Sequence, residues 1–422
     1  MTRSLVSLGR FIRAIEAGRS FGAAAPPAGA DEWGVIKVSA MTWGAFRSDQ
    51  NKAVPSDLVD PRHEIRPGDL LISRANTSDY VGAPVVVGIT RPKLLLSDKS
   101  LRLLLHADVD PQWLCYMLSA PQSRAQIELK ATGTSDSMRN LSQANLLSIQ
   151  MPEVEISEQR RIVELLDDHL SRLDAGGQLL SMAERRTRSF VRAVLEDVVP
   201  DVALPGWKES TVGLAGRLQL GRARHPDWHD GPEVRPYLRV ANVFEDRIDT
   251  ASIMSMDFSG VFEKFRLIDG DVLLNEGQSP HLLGRPAIYR GTPADVAFTN
   301  SLIRFQAGDE VLPEWALLVF RRHMHSGRFR RESRITTNIA HLSMARLRHV
   351  EFPIPPLDEQ QARVLKAREL LAGVDYMEHE SQRARAKAVG LRRALLDAAF
   401  SGRLTGHASD PDRVEELAAA SS

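Results

Sequence analysis

"LSQANLLSIQMPEVEISEQRRI" occupies residues 141–162, and "LSMARLRHVEFPIPPLDEQQAR" occupies residues 342–363. Each runs from Leu-Ser through a short apolar piece to a proline, then opens a charged, helix-like stretch with Glu-Gln. Leu141/Leu342, Ser142/Ser343, Leu146/Leu347, Pro152/Pro353, Glu158/Glu359, Gln159/Gln360 and Val163/Val364 all keep one offset of 201. A second register lies upstream: "RPGDLLISRANTSDYVGAP" faces "IDGDVLLNEGQSPHLLGRP". There Gly68/Gly270, Asp69/Asp271, Leu71/Leu273, Gly82/Gly284 and Pro84/Pro286 are 202 apart, as are Val38/Val240 and Trp113/Trp315. Such matches at a fixed period mark an internal repeat. The chain is two copies of a unit of roughly 200 residues, an ordinary domain size.

Each copy divides in two. The first part, residues 1–154 and 204–355, is mixed. Short β-like runs ("VIKVSA", "DLLISR", "PVVVGIT"; then "YLRVANVF", "DVLLNE", "PAIYRG") are punctuated by Gly, Pro, Asn and Asp. Helices are expected at "PQWLCYMLSAPQSRAQI" and "PEWALLVFRRHMHSG". The second part, residues 155–203 and 356–404, is helical, and residues 405–422 form a tail. Ser157 is the expected N-cap of the first long helix, with Glu158 in its first turn. Ile162, Leu166, His169, Leu173, Gly177, Leu180, Glu184, Thr187, Val191, Val194 and Val198 alternate steps of four and three, which is heptad spacing. Leu370, Val374, Met377, Ser381, Ala384, Ala388, Leu391, Leu395 and Ala398 do the same in the second. Gly176-Gly177 is an expected kink. A helix of ~40 residues is ~60 Å long and needs a partner along its length. The expected fold class is α+β: two similar mixed domains separated by two long antiparallel coiled-coil helices, with a pseudo-two-fold internal repeat.

Composition is that of a globular protein: 43% hydrophobic and 26% charged among 422 residues. The single cysteine, Cys115, lies in the apolar run "WLCYML" and reads as a buried small hydrophobe. No apolar run approaches the ~20 residues of a membrane helix, and the charged N-terminus "MTRSLVSLGRFIRAIEAG" is unlike a signal peptide. The expected setting is cytoplasmic, with no membrane partner. Charge balances, 54 basic against 54 acidic residues, which counts against a uniformly cationic nucleic-acid binder. The charge is nonetheless local. "FRRHMHSGRFRRESR", residues 320–334, holds six arginines, either as a solvated helix face or as a phosphate-contacting one.

The usual catalytic signatures are missing. There is no phosphate-binding Gly-x-x-x-x-Gly-Lys-Ser/Thr loop, no Gly-x-Gly-x-x-Gly run and no Gly-x-Ser-x-Gly elbow. An Asn/Asp-Pro-Pro-aromatic run of the adenine-methyltransferase kind is also lacking. His225/His229 and His323/His325 have metal-like spacing, but no cysteine pair or His-Glu-x-x-His accompanies them. Asp69 and Asp271 read as turn residues before buried strands. No catalytic residue, metal or cofactor is therefore expected on this chain.

The duplicated heads, the "FPIPPLDEQ" run, the "LPGW" opening at Leu204 and the "LRRALLDAAFSGRL" ending together resemble the DNA-specificity subunit of type I restriction–modification systems, over essentially the whole chain. The sequence departs from that pattern in three places. Copy one lacks an "LPGW" entry, copy two reads "EQQARV" against "EQRRIV", and "SRITTNIAHLS" lacks the Gly-Ser/Thr of "TGTSDS". The resemblance implies a non-catalytic subunit whose two target-recognition heads each read half of a split, asymmetric site in double-stranded DNA. It also implies helices that dock two methyltransferase subunits and set the gap between half-sites. S-adenosylmethionine would belong to those subunits, and ATP and Mg to motor-nuclease subunits that join them. The alternatives are a standalone or fused restriction or methylation enzyme, and a helical scaffold with no DNA role.

Base edges are read by Arg, Lys, Asn, Gln and hydroxyl side chains, and phosphates by Arg, Lys, hydroxyls and backbone N–H groups. In the first head the expected DNA contacts are Arg74, Asn76, Thr77, Ser78 and Tyr80 in one loop and Thr134, Ser135 and Arg139 in another. In the second head they are Asn275, Gln278, Ser279, His281 and Arg285, then Arg328, Arg330, Arg331, Arg334, Thr336, Thr337 and Asn338. The heads differ at these places: Tyr80 stands against Leu282 and Arg74 against Glu276, so unlike half-sites are expected.

Overall fold

The computed structural model describes residues 3–22, 25–42, 44–133, 138–336 and 339–405, without the side chains of residues 42, 226, 334–336 and 339. The chain packs into two units. One comprises residues 1–180 and 382–422, the other residues 181–381. Each unit therefore holds one head and a segment of each long helix.

In the first head an antiparallel sheet runs in the order Ile12–Ala17, Ser100–Leu105, Leu70–Ser73, Pro84–Val86. The second head repeats it as Gly216–Leu220, Leu302–Ala307, Val272–Asn275, Pro286–Ile288. The central strands "LLIS" and "VLLN" are apolar because both faces are covered. Leu70 and Ile72 pack with Trp113, while Leu71 between them packs with Ile36, Val85 and Leu94. Val272 and Leu274 pack with Trp315, while Leu273 faces Tyr237 and Phe298. This is the period of two that sends successive side chains to opposite faces. A smaller three-stranded sheet with one parallel pair covers the second face in both heads: Leu94–Leu95 against Gly34–Ile36, and Ala297–Phe298 against Val234–Leu238. The helices expected after the sheet are present; Pro121 divides the first into Pro111–Ser119 and Pro121–Lys130, and the second is Pro313–His325.

Asp69 and Asp271 are turn residues with a further task. Each accepts a backbone N–H, from Arg66 and Ile268, and each pairs with a strand arginine, Arg102 at 3.0 Å and Arg304 at 3.3 Å. Arg102 and Arg304 stand at the same register, so the ion pair is duplicated, half-buried at Asp69 and fully buried at Asp271. Cys115 is buried, and burial pushes its thiol up to about 12.

The first long helix, Ile156–Val198, passes through Gly176-Gly177 without interruption. It begins one residue before Ser157, so Ser157 is not its cap; the Glu155 carbonyl accepts from Glu158 and Gln159 instead. Its heptad stripe is the inward face: Ile162, Leu166, Val191, Val194 and Val198 are buried, and Leu173 to Thr187 on the same line are half-buried. The second helix is not continuous. Ala372 and Gly373 interrupt it, giving Leu357–Leu371 and Val374–Ser401. Its stripe also drifts: Leu370, Met377 and Ala384 are exposed, and Ala367 and Leu371 are buried instead. A straight helix moves ~20° per heptad relative to a strict seven-residue repeat, so the contact line crosses from one set of positions to the next. Within each unit the helical segments pair antiparallel. In the first unit Asp174 meets Arg392, and Glu158 meets Thr405 just past the end of the second helix at 2.7 Å; in the second Glu184 meets Ser381 at 2.8 Å and Asp197 meets Lys366 at 2.7 Å.

The repeated Glu-Gln has a physical reason. Gln159 is buried; its amide donates to the carbonyls of Asp108 and Val154, and its oxygen accepts from Asp110 at 2.8 Å. Gln360 is buried identically, donating to Glu310 and Pro355 and accepting from Leu312 at 2.8 Å. Each glutamine thus pins the start of a long helix to the loop that launches the head's own helix. Glu158 bonds Arg3 and Thr405, and Glu359 bonds the Trp207 indole at 3.1 Å and Arg363. Replacing Gln159 or Gln360 by Leu strands two carbonyls and an N–H, each costing ~1 kcal/mol or more. A loss of about 3 kcal/mol is expected for either variant in denaturant unfolding, and wild-type stability would show that the glutamine is not what fastens head to helix.

Candidate nucleic-acid interface

The two loops expected to carry the DNA contacts of each head meet in space. In the first head Ala75–Asn76 pairs antiparallel with Arg139–Asn140. In the second, Gly277–Gln278 pairs with His341 and Ala340 of the strand Ile339–Leu342, which itself pairs antiparallel with Ser333–Thr336. One ladder of backbone hydrogen bonds supports both. In the first head Leu141 N–H donates to Arg74, Arg74 N–H to Lys99, and Asp98 N–H to Arg19. In the second, Leu342 N–H donates to Glu276, Glu276 N–H to Ser301, and Asn300 N–H to Arg222.

The side chains fall into three groups. Exposed or half-exposed on this edge are Arg74, Thr77, Ser78 and Tyr80 in the first head, and Gln278, Ser279 and His281 in the second. A second group is built into the fold. Asn76 is buried, donates to Ser73 Oγ and accepts from Thr77 N–H, and Asn275 is wholly buried. Arg139 caps the end of the Pro121–Lys130 helix by donating to Ala131 O at 2.6 Å. Arg285 lies over the Phe244 ring at 4.7 Å, where burial pulls its pKa down. The third group lies outside the described residues: Thr134, Ser135, Thr337 and Asn338, together with the side chains of Arg334 and Thr336.

The arginine-rich stretch is not one face. Arg321 pairs with Glu245 at 2.7 Å, and buried Arg322 pairs with Asp201. Arg328 is held by Glu351 at 2.8 Å and Glu332 at 2.6 Å. Arg330 and Arg331 remain exposed. Three of the arginines are therefore neutralised within the head, and the surface charge is smaller than the sequence suggests. Sequence reasoning misses these carboxylate partners, because Glu245 and Asp201 lie far from the cluster along the chain and Glu351 belongs to another element.

The closely spaced histidines turn away from one another. His325 bonds Glu245 at 2.9 Å. Burial raises the cost of a charge on Glu245, but His325 and Arg321 outweigh it and hold the carboxyl down at about 2. His323 is buried, with Nε2 2.9 Å from Glu351 O and Nδ1 3.3 Å from the Arg322 guanidinium. Nε2 is thus the donor and Nδ1 the acceptor of a neutral ring, a tautomer inferred from its neighbours. Among the described residues no group of His, Cys, Asp and Glu could hold a metal, and no helix is long and apolar enough to cross a membrane.

Two duplicated heads carried on long helices define a class of protein built to present two related but unlike surfaces. No family model matches the chain. Over 402 residues it is 23% identical to the StySPI specificity subunit of a type I restriction enzyme from Salmonella potsdam, covering 90% of this chain and 84% of that one. Over 200 residues it is 30% identical to the EcoEI specificity subunit from Escherichia coli, covering 47% of this chain but only 33% of that protein. Its fold is that of a chain solved in work on complex assembly and conformational transition of the type I R-M system, with a TM-score of 0.65 at 17% identity, over 96% of this chain and 98% of that one. The chain is thus similar to type I restriction enzyme specificity subunits along most of its length.

Burial pulls the His323 pKa from 6.5 to about 4. Above pH 6.5 the ring is neutral folded and unfolded. As pH falls from 6.5 towards 4 the unfolded chain takes up a proton that the fold refuses, so stability falls. The fall should amount to at most about 3 kcal/mol, read as a drop in the melting temperature of the second unit. His323→Gln should flatten the profile across that window; an unchanged slope would assign it to other groups.

Proposed function

We propose that the chain is the sequence-specific DNA-binding subunit of a type I restriction–modification complex, each head reading one half of a split, asymmetric target. One observation carries the reading: the same backbone ladder in both heads holds a paired set of loops whose outward side chains differ. Likeness to specificity subunits along most of the chain supports it. In this reading Arg74, Thr77, Ser78 and Tyr80 serve the first head, and Gln278, Ser279, His281, Arg330 and Arg331 the second. The buried or paired Asn76, Asn275, Arg139, Arg285 and Arg328 hold the surface in place; Thr134, Ser135, Thr337, Asn338 and the side chains of Arg334 and Thr336, outside the described residues, are proposed as further contacts on sequence alone. The chain itself performs no chemistry. The long helices dock two methyltransferase subunits, which bring S-adenosylmethionine, and motor-nuclease subunits bring ATP and Mg. Leu365, Leu370, Tyr376, Met377 and Val389 are exposed apolar side chains along the second helix, suited to such docking. The complex would work in the cytoplasm.

The test is sequencing of methylated adenines in a host carrying this chain and its methyltransferase partner. A single two-part motif with unlike halves is expected, and no methylation by either protein alone. Methylation by this chain alone, or modification without a defined motif, would overturn the reading.

Phosphate and base recognition separate by salt. Arg330→Ala with Arg331→Ala in the assembled methylase should weaken binding to all duplexes alike. The log–log salt slope should become shallower by about one unit for each phosphate no longer neutralised. Gln278→Ala should relax one position of one half-site and leave the slope nearly unchanged. A normal slope in the double arginine variant would make those residues merely solvated.

A further inference from the structure

The backbone ladder extends one rung beyond the paired loops. In both heads its far end is a Gly-Arg dipeptide, Gly18-Arg19 and Gly221-Arg222. A Cβ at Gly18 would overlap the Leu96 carbonyl, and one at Gly221 the Thr299 carbonyl, so only glycine lets the chain pass. The following arginine forms a parallel bridge in each copy, Arg19 with Ser97 and Arg222 with Thr299. This junction fixes where the next segment leaves the sheet. That segment differs sharply between the copies: residues 20–32 read "SFGAAAPPAGADE" in the first head, and residues 223–231 read "ARHPDWHDG" in the second.

In the second head the segment is built rather than loose. The Arg222 guanidinium lies 4.0 Å from the centroid of the Trp228 ring and donates to Asp257 O. His225 packs on Trp228 with ring centroids 5.5 Å apart and accepts from Asp227 N–H. Arg224, with its guanidinium 6.0 Å from the centroid of the Tyr237 ring, and His229 are exposed. Two hydrogen-bonded rungs, Asn300 to Arg222 and Glu276 to Ser301, tie Arg222, where the segment begins, to the backbone that leads into Gly277–Gln278. Over residues 222–230 the formal charges of Arg222, Arg224, Asp227 and Asp230 cancel, so the segment together with its flanking Asp230 adds no general attraction for phosphate. It offers donors and acceptors at fixed positions, which is what reading base edges requires.

We propose that the segment 222–229 is a third base-reading element, present in the second head only, with Arg222, His225 and Trp228 as positioning residues and Arg224 and His229 as the side chains that meet base edges. The inference rests on the DNA-specificity reading and deepens it.

The experiment uses the full chain assembled with its methyltransferase partner and sequences methylated adenines genome-wide. The variant is Arg224→Ala with His229→Ala, both on the surface, with thermal melting to confirm an intact head. Discrimination at one or two positions of one half-site should fall about tenfold, with the other half-site and the salt slope unchanged. Trp228→Leu, which removes the platform but keeps both reading side chains, should relax the same positions. If the wild-type complex has a defined two-part motif and the double variant keeps it with discrimination within about twofold, the proposal fails while the specificity reading stands. If the wild-type complex has no such motif, the specificity reading itself fails. Equal weakening on all sequences with a shallower salt slope would make the segment a phosphate-binding one and also overturn the proposal.

Discussion

Both heads depend on a single buried side chain at the foot of a long helix. Gln159 and Gln360 each bridge the helix start to the loop that begins the head's own helix, through two donated hydrogen bonds and one accepted. A buried amide has two donors and a carbonyl oxygen to satisfy, and here both donors and the oxygen are engaged. Glutamate could not donate, and leucine would leave three backbone groups unpaired. That requirement explains why the dipeptide returns in the second copy while the residues around it vary. It also turns two separate elements, a mixed sheet domain and a long helix, into parts of one folding unit.

The helices in turn complete the heads. Ile162, Leu166 and Leu170 from one helix and Leu395, Ala398 and Phe400 from the other belong to the core that contains Trp113. Val191, Val194 and Val198, with Ala367, Leu371 and Val374, belong to the core that contains Trp315. Neither head closes its hydrophobic core without a segment of both helices. The first unit accordingly joins residues from both ends of the chain: Arg3 donates to Ala399 O at 2.8 Å and bonds Thr405 at 2.9 Å.

The duplication, the sheet strands and the first helical stripe are legible in the sequence because their signals are local. The short apolar run in "DLLISR" and the heptad spacing from Ile162 to Val198 need only the neighbouring residues. The second stripe departs from its spacing at Leu370, Met377 and Ala384, since a drift of the contact line depends on what lies opposite. The arginine stretch departs from a single charged face for the same reason: its partners Asp201, Glu245 and Glu351 come from other elements. Asn76 and Asn275 have the chemistry of base readers but are buried in the fold. Burial of a polar side chain beside a turn leaves no mark in composition. The Gly-Arg junction is hidden although it repeats, because two residues at an offset of 203 fall outside both registers that the longer matches define.

The ladder explains how one fold can carry two unlike surfaces. Its rungs join main-chain N–H groups to main-chain carbonyls, so the side chains at those positions take no part in holding it. Arg74 and Lys99 in the first head stand where the second has Glu276 and Ser301, and the rungs between them are the same. Substitution at the rung positions therefore alters the charge and hydrogen-bonding pattern of the edge at little cost to the fold. The constraint falls instead on Gly18 and Gly221, where backbone meets backbone with no room for a Cβ. The edge whose side chains differ between the copies rests on main-chain bonds that side chains take no part in, and the residues held the same are the glycines that let the strands approach.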